Sequence, residues 1–212
     1  MRWRYRILAA VALVVVIMSS ESGGTDSMYT NVRVERVIDF ASPESSPSWS
    51  IVNDDVMGGR STSSMRLIAE GFAEFSGMLS LENNGGFALT RSNLLKIELG
   101  DYDGFVIRVK GDGRSYKFRA RTTTNFDGVS YQREFQTAAG EWTEVALPFA
   151  DFVASFRGRL LPDLGRLNPA EIKQVGFLIA DKQPGPFTLT IAWIAAYRIG
   201  QSPGNTETTS ER

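Results

Sequence analysis

The chain has 212 residues, which is enough for one sizeable all-β domain built around a single core. Apolar residues make up 42% and charged residues 22%, a composition that excludes a disordered chain and a membrane protein with several spans. The net charge of −1 does not favour nucleic acid as a partner, and the lack of cysteine and histidine excludes disulfides, zinc fingers and Ser-His-Asp catalysis.

The first 22 residues have the order of features that is typical of an export signal. Three arginines precede an apolar run from Ile7 to Met18, and polar residues follow it. The run is shorter than the roughly 20 residues of a transmembrane helix, and no A-x-A cleavage site follows it. We therefore expect a signal peptide or an uncleaved membrane anchor at 1–22. An exported chain, periplasmic or extracellular, would touch the membrane only through this segment.

Short apolar or alternating runs separated by turn residues begin at about Val34 and predict a β-sandwich or barrel. We expect a linker at 23–33, one domain at 34–200, and a disordered polar tail at 201–212. One short helix signal is present, in which Asn168 would cap a turn that begins at Pro169. The candidate strands are 34–40, 50–52, 64–68, 72–81, 86–90, 105–110, 115–123, 130–136, 143–147, 174–180 and 187–199.

The candidate strands 105–110 and 115–123 both alternate apolar with basic side chains. If they pair through a turn at 111–114, their cations lie together on one face of a sheet. Such a face would be a docking surface for an anionic ligand or an acidic partner. The alternative is an ordinary solvated sheet face. The five cations are Arg108, Lys110, Lys117, Arg119 and Arg121.

The segment W-S-I-V-N-D-D-V-M-G-G-R-S at 49–61 is unusual for a plain strand and turn. With several further motifs, it resembles the complex I intermediate-associated protein 30 domain over about residues 36–199. That resemblance implies a galactose-binding-like jelly-roll β-sandwich. Because mitochondrial members assemble NADH:ubiquinone oxidoreductase, it also implies an assembly factor, here a bacterial, exported member. The further motifs are F-S-G at 75–77, N-G-G-F-A-L-T-R at 84–91, Y-D-G at 102–104, G-D-G-R-S-Y at 111–116 and L-P-F at 147–149.

Asp54 and Asp55 are adjacent carboxylates in a loop that ends in two glycines. A hydrolase of the two-carboxylate kind needs its second acid about 5–10 Å away across a cleft, which adjacency does not supply. We expect Asp54 to accept hydrogen bonds from the Gly58–Gly59 backbone or to pair with Arg91, with ligand contact as the alternative. No D-x-D-x-D loop is present, so neither a metal site nor a cofactor is predicted.

The chain is predicted to be a non-enzymatic binding module of the protein-interaction or assembly-factor type. A protein partner is expected, with a membrane complex among the candidates. The alternative is an extracytoplasmic carbohydrate-binding module, in which exposed aromatic rings would stack on a sugar. The aromatic candidates are Trp49, Tyr116, Tyr131 and Trp142. The candidate binding residues are Asp54, Gly58, Gly59, Arg60, Asn84, Arg91, Arg108, Lys117 and Arg119.

Overall fold

The computed structural model describes residues 32–42, 47–68, 71–125 and 127–200. The predicted N-terminal signal or anchor and the predicted tail lie outside them. In the described part, no helix is both long and apolar enough to cross a membrane. The strands are β1 (Val32–Asp39), β2 (Trp49–Asn53), β3 (Thr62–Ile68), β4 (Phe72–Leu79), β5 (Ala88–Ser92), β6 (Gly104–Lys110), β7 (Ser115–Arg121), β8 (Ser130–Gln136), β9 (Trp142–Pro148), β10 (Val153–Phe156), β11 (Arg159–Leu160), β12 (Gln174–Ile179) and β13 (Gly185–Ile199).

The strands form two antiparallel sheets that together make a sandwich. A six-stranded sheet has the order β3-β4-β13-β6-β9, with β1 paired to the C-terminal part of β13. A seven-stranded sheet has the order β11-β10-β8-β7-β12-β5-β2. Neighbours in each sheet are mostly distant in sequence, as in Greek-key and jelly-roll sandwiches. The predicted all-β sandwich is therefore confirmed.

Phenylalanine rings contributed by both sheets fill the space between them. The Phe118 ring of the seven-stranded sheet lies 5.1 Å from the Phe105 ring of the six-stranded sheet and 5.2 Å from its neighbour Phe177, measured between centroids. All three side chains are fully buried. Burying one such side chain stabilises a fold by about 1.5–3 kcal/mol relative to leaving it exposed.

The candidate strands of the sequence each correspond to a strand, and their ends agree to within two residues. β10 and β11 were not predicted, because strands of four and two residues are too short to show an alternating pattern. The helix signal corresponds to a single 3-10 turn at Pro169–Glu171, in which Asn168 Oδ1 accepts a hydrogen bond from the Ala170 N–H at 3.2 Å.

The pairing of β6 with β7, on which a shared five-cation face depended, is not formed. β6 pairs with β13 and β9, whereas β7 pairs with β8 and β12, so the connection at 111–114 crosses between the sheets. Strands on opposite sides of a core both turn their apolar residues inward, and alternation alone cannot distinguish them from a hairpin. The five cations therefore do not share a face: Arg108 and Lys110 lie on one outer surface of the sandwich, and the other three lie on the opposite one.

Candidate functional site

The carboxylate of Asp54 lies fully buried in the turn that follows β2. It accepts hydrogen bonds from the backbone N–H and the hydroxyl of Ser61, at 2.8 and 2.5 Å. It also accepts bonds from the N–H groups of Gly86 and Phe87, at 2.6 and 3.2 Å. Asp54 thus joins the loop between β2 and β3 to the loop before β5.

Burial raises the pKa of Asp54, but the hydrogen bonds from Ser61, Gly86 and Phe87 outweigh it and hold the pKa below its ordinary value. Two glycines make this enclosure sterically possible. A Cβ on Gly59 would lie 2.4 Å from Asp54 Cγ, and one on Gly85 would lie 2.6 Å from Asp54 Oδ2. Of the two adjacent glycines, Gly58 has the positive φ, +86°, whereas the close contact with Asp54 requires glycine at 59.

The expected partners of Asp54 are corrected by this geometry. Ala88 of β5 pairs with Asn53 at the end of β2, and Arg91 lies three residues further along β5. The guanidinium of Arg91 is not among the groups bound to Asp54. Gly58 and Gly59 do donate N–H groups, but to the backbone oxygens of Asp55 and Asp54. Because the turn is tight, these N–H groups lie close to the carbonyl oxygens within the turn itself.

The remaining predicted residues of this loop cluster are exposed. Arg60 Nη1 lies 3.1 Å from Glu82 Oε2, and both side chains are more than 60% exposed. Asn84 has a φ of +59°, a left-handed conformation that asparagine tolerates better than most residues. Neither residue is brought close to the other predicted cations, Arg108 and Lys117, which lie near Glu144 and Glu134.

A depression on the outer surface of the seven-stranded sheet brings together three arginines. Gly176 of β12 pairs with Arg91 of β5 on one side and with Arg119 of β7 on the other. Arg121 lies two residues beyond Arg119 on the same strand. This arginine depression is lined by Leu89, Arg91, Arg119, Arg121, Val175 and Gly176.

Two of these arginines bond only to neutral acceptors among the described residues. Arg119 donates from Nη2 to the hydroxyl of Ser130. Arg121 donates to the carbonyl oxygens of Asn125 and Gly128, the latter at 3.5 Å, and is only 6% exposed. Within the described residues, neither Nε atom has a hydrogen-bond partner. Among the described residues, no carboxylate bonds directly to either guanidinium group, and Asp127 acts on Arg121 only as a nearby charge.

The electrostatics of the depression reflect this crowding. Burial, and then the charges of Arg121 and Arg91, lower the pKa of Arg119 to about 10. Burial and then Arg91 lower the pKa of Arg121 to about 10, against the attraction of Asp127. Both guanidinium groups stay protonated at neutral pH. The largely buried side chains of Arg119 and Arg121 therefore remain positively charged and repel neighbouring cations.

Arg91 and Arg119 were predicted to be binding residues for separate reasons, and their proximity was not predicted. Arg121 was predicted only as one of five cations, and Gly176 was not predicted to belong to a site. A glycine inside a strand marks close approach of a backbone or a ligand, and this was the available signal. Here a Cβ would lie 2.3 Å from the backbone oxygen of Thr90. Elsewhere in the described residues, no group of three or more acidic side chains could hold a metal ion.

The chain is similar to known proteins in both sequence and structure. The family described as Complex I intermediate-associated protein 30 (CIA30) matches residues 38–191. The Drosophila melanogaster protein named complex I intermediate-associated protein 30, mitochondrial, is 27% identical over 200 residues, covering 79% of this chain and 68% of that protein. The Mus musculus protein of that name is 28% identical over 188 residues, covering 79% and 56%. The chain thus spans little more than half the length of the mouse relative.

Two similar solved structures are family 11 carbohydrate-binding modules from Clostridium thermocellum. One, from a cellulosomal cellulase, has a TM-score of 0.58 at 18% identity and covers 79% of this chain and 95% of that one. The other, in complex with a mixed-linked tetrasaccharide, has a TM-score of 0.57 at 17% identity and covers 77% and 94%. At this identity the likeness shows the fold alone, and it confirms the galactose-binding-like jelly roll.

The relatives also correct the predicted location. They are named as mitochondrial proteins, which conflicts with export to the periplasm or the cell exterior, so that prediction is wrong. A basic start with no acidic residue before Glu21 is shared by export signals and mitochondrial transit peptides, and it does not distinguish them. The family match extends from β1 into β13 and so covers nearly the whole sandwich. On this match, the chain belongs to the complex I intermediate-associated protein 30 family.

Proposed function

We propose that this chain is a non-enzymatic binding module that acts as an assembly factor for complex I. The observation that carries the proposal is the family match over residues 38–191, since it includes both sheets and the loops at their ends. The relatives are named for their association with an intermediate of complex I. The partner of this chain would then be a protein component of an incomplete membrane complex.

The Asp54 enclosure supports a binding role over hydrolysis. A general acid or nucleophile must reach its substrate, and the Asp54 carboxylate is fully buried and saturated by four hydrogen bonds. Its neighbour Asp55 is exposed and accepts a bond from the Val56 N–H at 3.1 Å. The two carboxylates therefore do not face each other across a cleft, as a two-carboxylate hydrolase requires.

The test is affinity purification of the tagged full chain from cells that produce it, with the tag on the C-terminal tail. We expect complex I subunits to co-purify from mild-detergent membrane extracts, and their abundance to rise when a late assembly step is blocked. A tagged unrelated β-sandwich in the same cells is the control. Recovery of the same proteins with both baits, together with normal complex I assembly after deletion of the gene, would refute the proposal.

Carbohydrate binding is the second candidate, and the solved structures of this fold favour it. Three of the four aromatic candidates are already engaged within the protein. Tyr116 is fully buried, and Trp49 packs 6.3 Å from the core ring of Phe177. The ring of Trp142 lies 4.9 Å from that of Phe72. A glycan array that includes mixed-linked glucans separates the candidates: specific binding that is lost on Tyr131→Ala, at the fourth aromatic candidate, while the melting temperature is kept, would favour the carbohydrate function.

A further inference from the structure

A hairpin at the edge of the seven-stranded sheet presents leucine and arginine side chains to solvent. It consists of β10, β11 and the 3-10 turn Pro162–Leu164 that follows them. We propose that this edge hairpin, residues 153–166, binds the surface of a membrane that contains anionic lipids. The inference goes beyond the proposed function, which concerns a protein partner. The leucines would enter the lipid interface, and the arginines would contact the lipid phosphates.

The edge hairpin holds large apolar side chains in solvent. Leu160 is 57% exposed and Leu164 is 52% exposed. Leu160 pairs with Ser155, and Val153, two residues before Ser155 on the same face of the sheet, is 36% exposed. The core does not require these side chains, since Leu167 of the same stretch is buried in the main core cluster. Neighbouring exposed apolar side chains on a folded protein typically mark an interaction site.

The backbone of the edge hairpin is fixed by its turn and by its own hydrogen bonds. Arg157 and Gly158 have φ values of +46° and +80°, as in the type I′ turn that joins two strands through two residues. The Leu161 N–H donates to the Ala154 carbonyl at 2.7 Å, and the Leu164 N–H donates to the Leu161 carbonyl at 3.2 Å. Because the backbone that carries the leucines is already ordered, less conformational entropy is lost on binding.

The edge hairpin also carries an excess of positive charge. It contains three arginines and one acidic residue, Asp163. Arg157 is in an ion pair with Asp127. Among the described residues, Arg159 and Arg166 form no ion pair, and both side chains are exposed. Because Asp163 offsets one of these two cations, apolar contact must supply most of the affinity, and the cations add a preference for anionic lipids.

Another exposed apolar surface of the chain has different charges. Val56 and Met57 are 61% and 64% exposed, in the turn after β2. They follow the exposed Asp55, and Arg60 in the same loop is paired with Glu82. A carboxylate beside apolar side chains is repelled by anionic lipids. Unpaired arginines beside exposed leucines are the combination that binds an anionic bilayer, and they distinguish the edge hairpin from this turn.

A fluorescent label on the full chain tests this contact. The chain has no cysteine, so one introduced cysteine can be labelled at a chosen position. Leu160→Cys places an environment-sensitive nitrobenzoxadiazole dye on the edge hairpin, and Leu67→Cys places it at a position on β3 that is 54% exposed. Because the full chain also carries the apolar run at 7–18, the readout must be specific to the labelled position. We expect vesicles of phosphatidylcholine mixed with phosphatidylglycerol to raise the fluorescence at 160 and shift it to the blue, and to leave the fluorescence at 67 unchanged.

Binding of the labelled Leu160→Cys chain to these vesicles should depend on both kinds of side chain. Leu164→Ser should weaken it about tenfold. Arg159→Gln and Arg166→Gln should each weaken it about fivefold at low salt. Arg66→Gln removes the same charge from an exposed position on β3 and should change the affinity less than about twofold. Melting temperatures verify that each variant is folded.

Any of three results would overturn the inference: an unchanged signal at 160, an equal change at 67, or equal binding to vesicles of phosphatidylcholine alone. An unchanged signal at 160, together with loss of the co-purified complex I subunits in Leu164→Ser, would reassign the edge hairpin to a protein partner. If complex I subunits co-purify and position 160 does not respond, the assembly function stands and the membrane contact falls. If position 160 responds and no complex I subunit is recovered, the assembly function falls and the membrane contact stands.

Discussion

Asp54 connects two loops that are more than twenty residues apart in the chain, because both loops donate hydrogen bonds to its charged carboxylate. In Asp54→Asn an amide NH₂ group must face one of the buried N–H donors of Ser61, Gly86 or Phe87. We expect a loss of about 2–3 kcal/mol in the free energy of unfolding, measured by urea denaturation. Asp55→Asn, at the exposed neighbouring position, should stay within about 0.5 kcal/mol. A loss of less than about 0.5 kcal/mol in Asp54→Asn as well would show that its hydrogen bonds contribute little to stability.

The contribution of Asp54 should also depend on pH. Its pKa in the folded chain is lower than the ordinary carboxyl value of 3.8, because the charged form is bound by four donors. The advantage of the wild type over Asp54→Asn is therefore complete above the unfolded-state pKa and disappears as the pH falls through the folded-state pKa. Urea midpoints of both proteins, measured from neutral pH down to strongly acidic pH, should converge. A constant difference throughout would contradict this.

Gly59 is required by contact with the Asp54 side chain. A methyl group at 59 would lie 2.4 Å from Asp54 Cγ, so Gly59→Ala should cost about 1–3 kcal/mol through displacement of the carboxylate. The loss should be smaller in an Asp54→Ala background, where Cγ is absent. Gly58→Ala has open space but a φ of +86°, so it should cost about 1 kcal/mol in both backgrounds. An unchanged Gly59→Ala loss in Asp54→Ala would contradict the contact.

The pairing of β12 with β5 depends on a glycine in mid-strand. A Cβ on Gly176 would lie 2.3 Å from the backbone oxygen of Thr90, so Gly176→Ala must push the two strands apart. We expect a loss of about 2–4 kcal/mol and faster hydrogen exchange in β5 and β12 than in β6. Gly100→Ala, whose Cβ would first meet Ala170 at 3.3 Å, is the milder control. Uniform exchange changes in all strands would contradict a local effect.

At one end of the molecule, a single ion pair ties together two chain crossings between the sheets. Arg114, in the link from β6 to β7, lies 2.6 Å from Asp181, in the link from β12 to β13, and the side chains are 11% and 5% exposed. Arg114 also donates to the Pro186 carbonyl at 2.9 Å. Removing either charge would leave the other charge unpaired in a nearly buried position.

Arg114→Met and Asp181→Leu should each destabilise the sandwich by about 3–5 kcal/mol, and the double variant should lose less than the sum of the two. The measurement is a double-mutant cycle by thermal or urea unfolding. Arg108→Gln, which breaks an exposed pair with Glu144, should cost less than about 1 kcal/mol. Strict additivity of the Arg114 and Asp181 losses would show that the two groups do not stabilise each other.

The elements that sequence reasoning predicted well are those whose pattern is local. β8 shows this, because its residues Ser130–Gln136 agree with the predicted strand at both ends. β7 was also oriented correctly, since Tyr116, Phe118 and Ala120 all face the core. β11 was not predicted, because two residues are too few to show an alternating pattern of apolar and polar side chains. Only their pairing with β10 makes them a strand.

The sequence by itself determined the all-β class, the inward faces of β6 and β7 and the family motifs, because these depend on alternation, turn residues and short local strings. The tertiary structure alone decided which strands are neighbours. Arg91 and Arg119 are 28 positions apart, and they meet only because Gly176 pairs with both. Asp54 and Arg91 both lie near β2, but their side chains have different surroundings. The physical reason is that a core-facing pattern specifies the face of a strand, while its partner depends on packing across the whole sandwich.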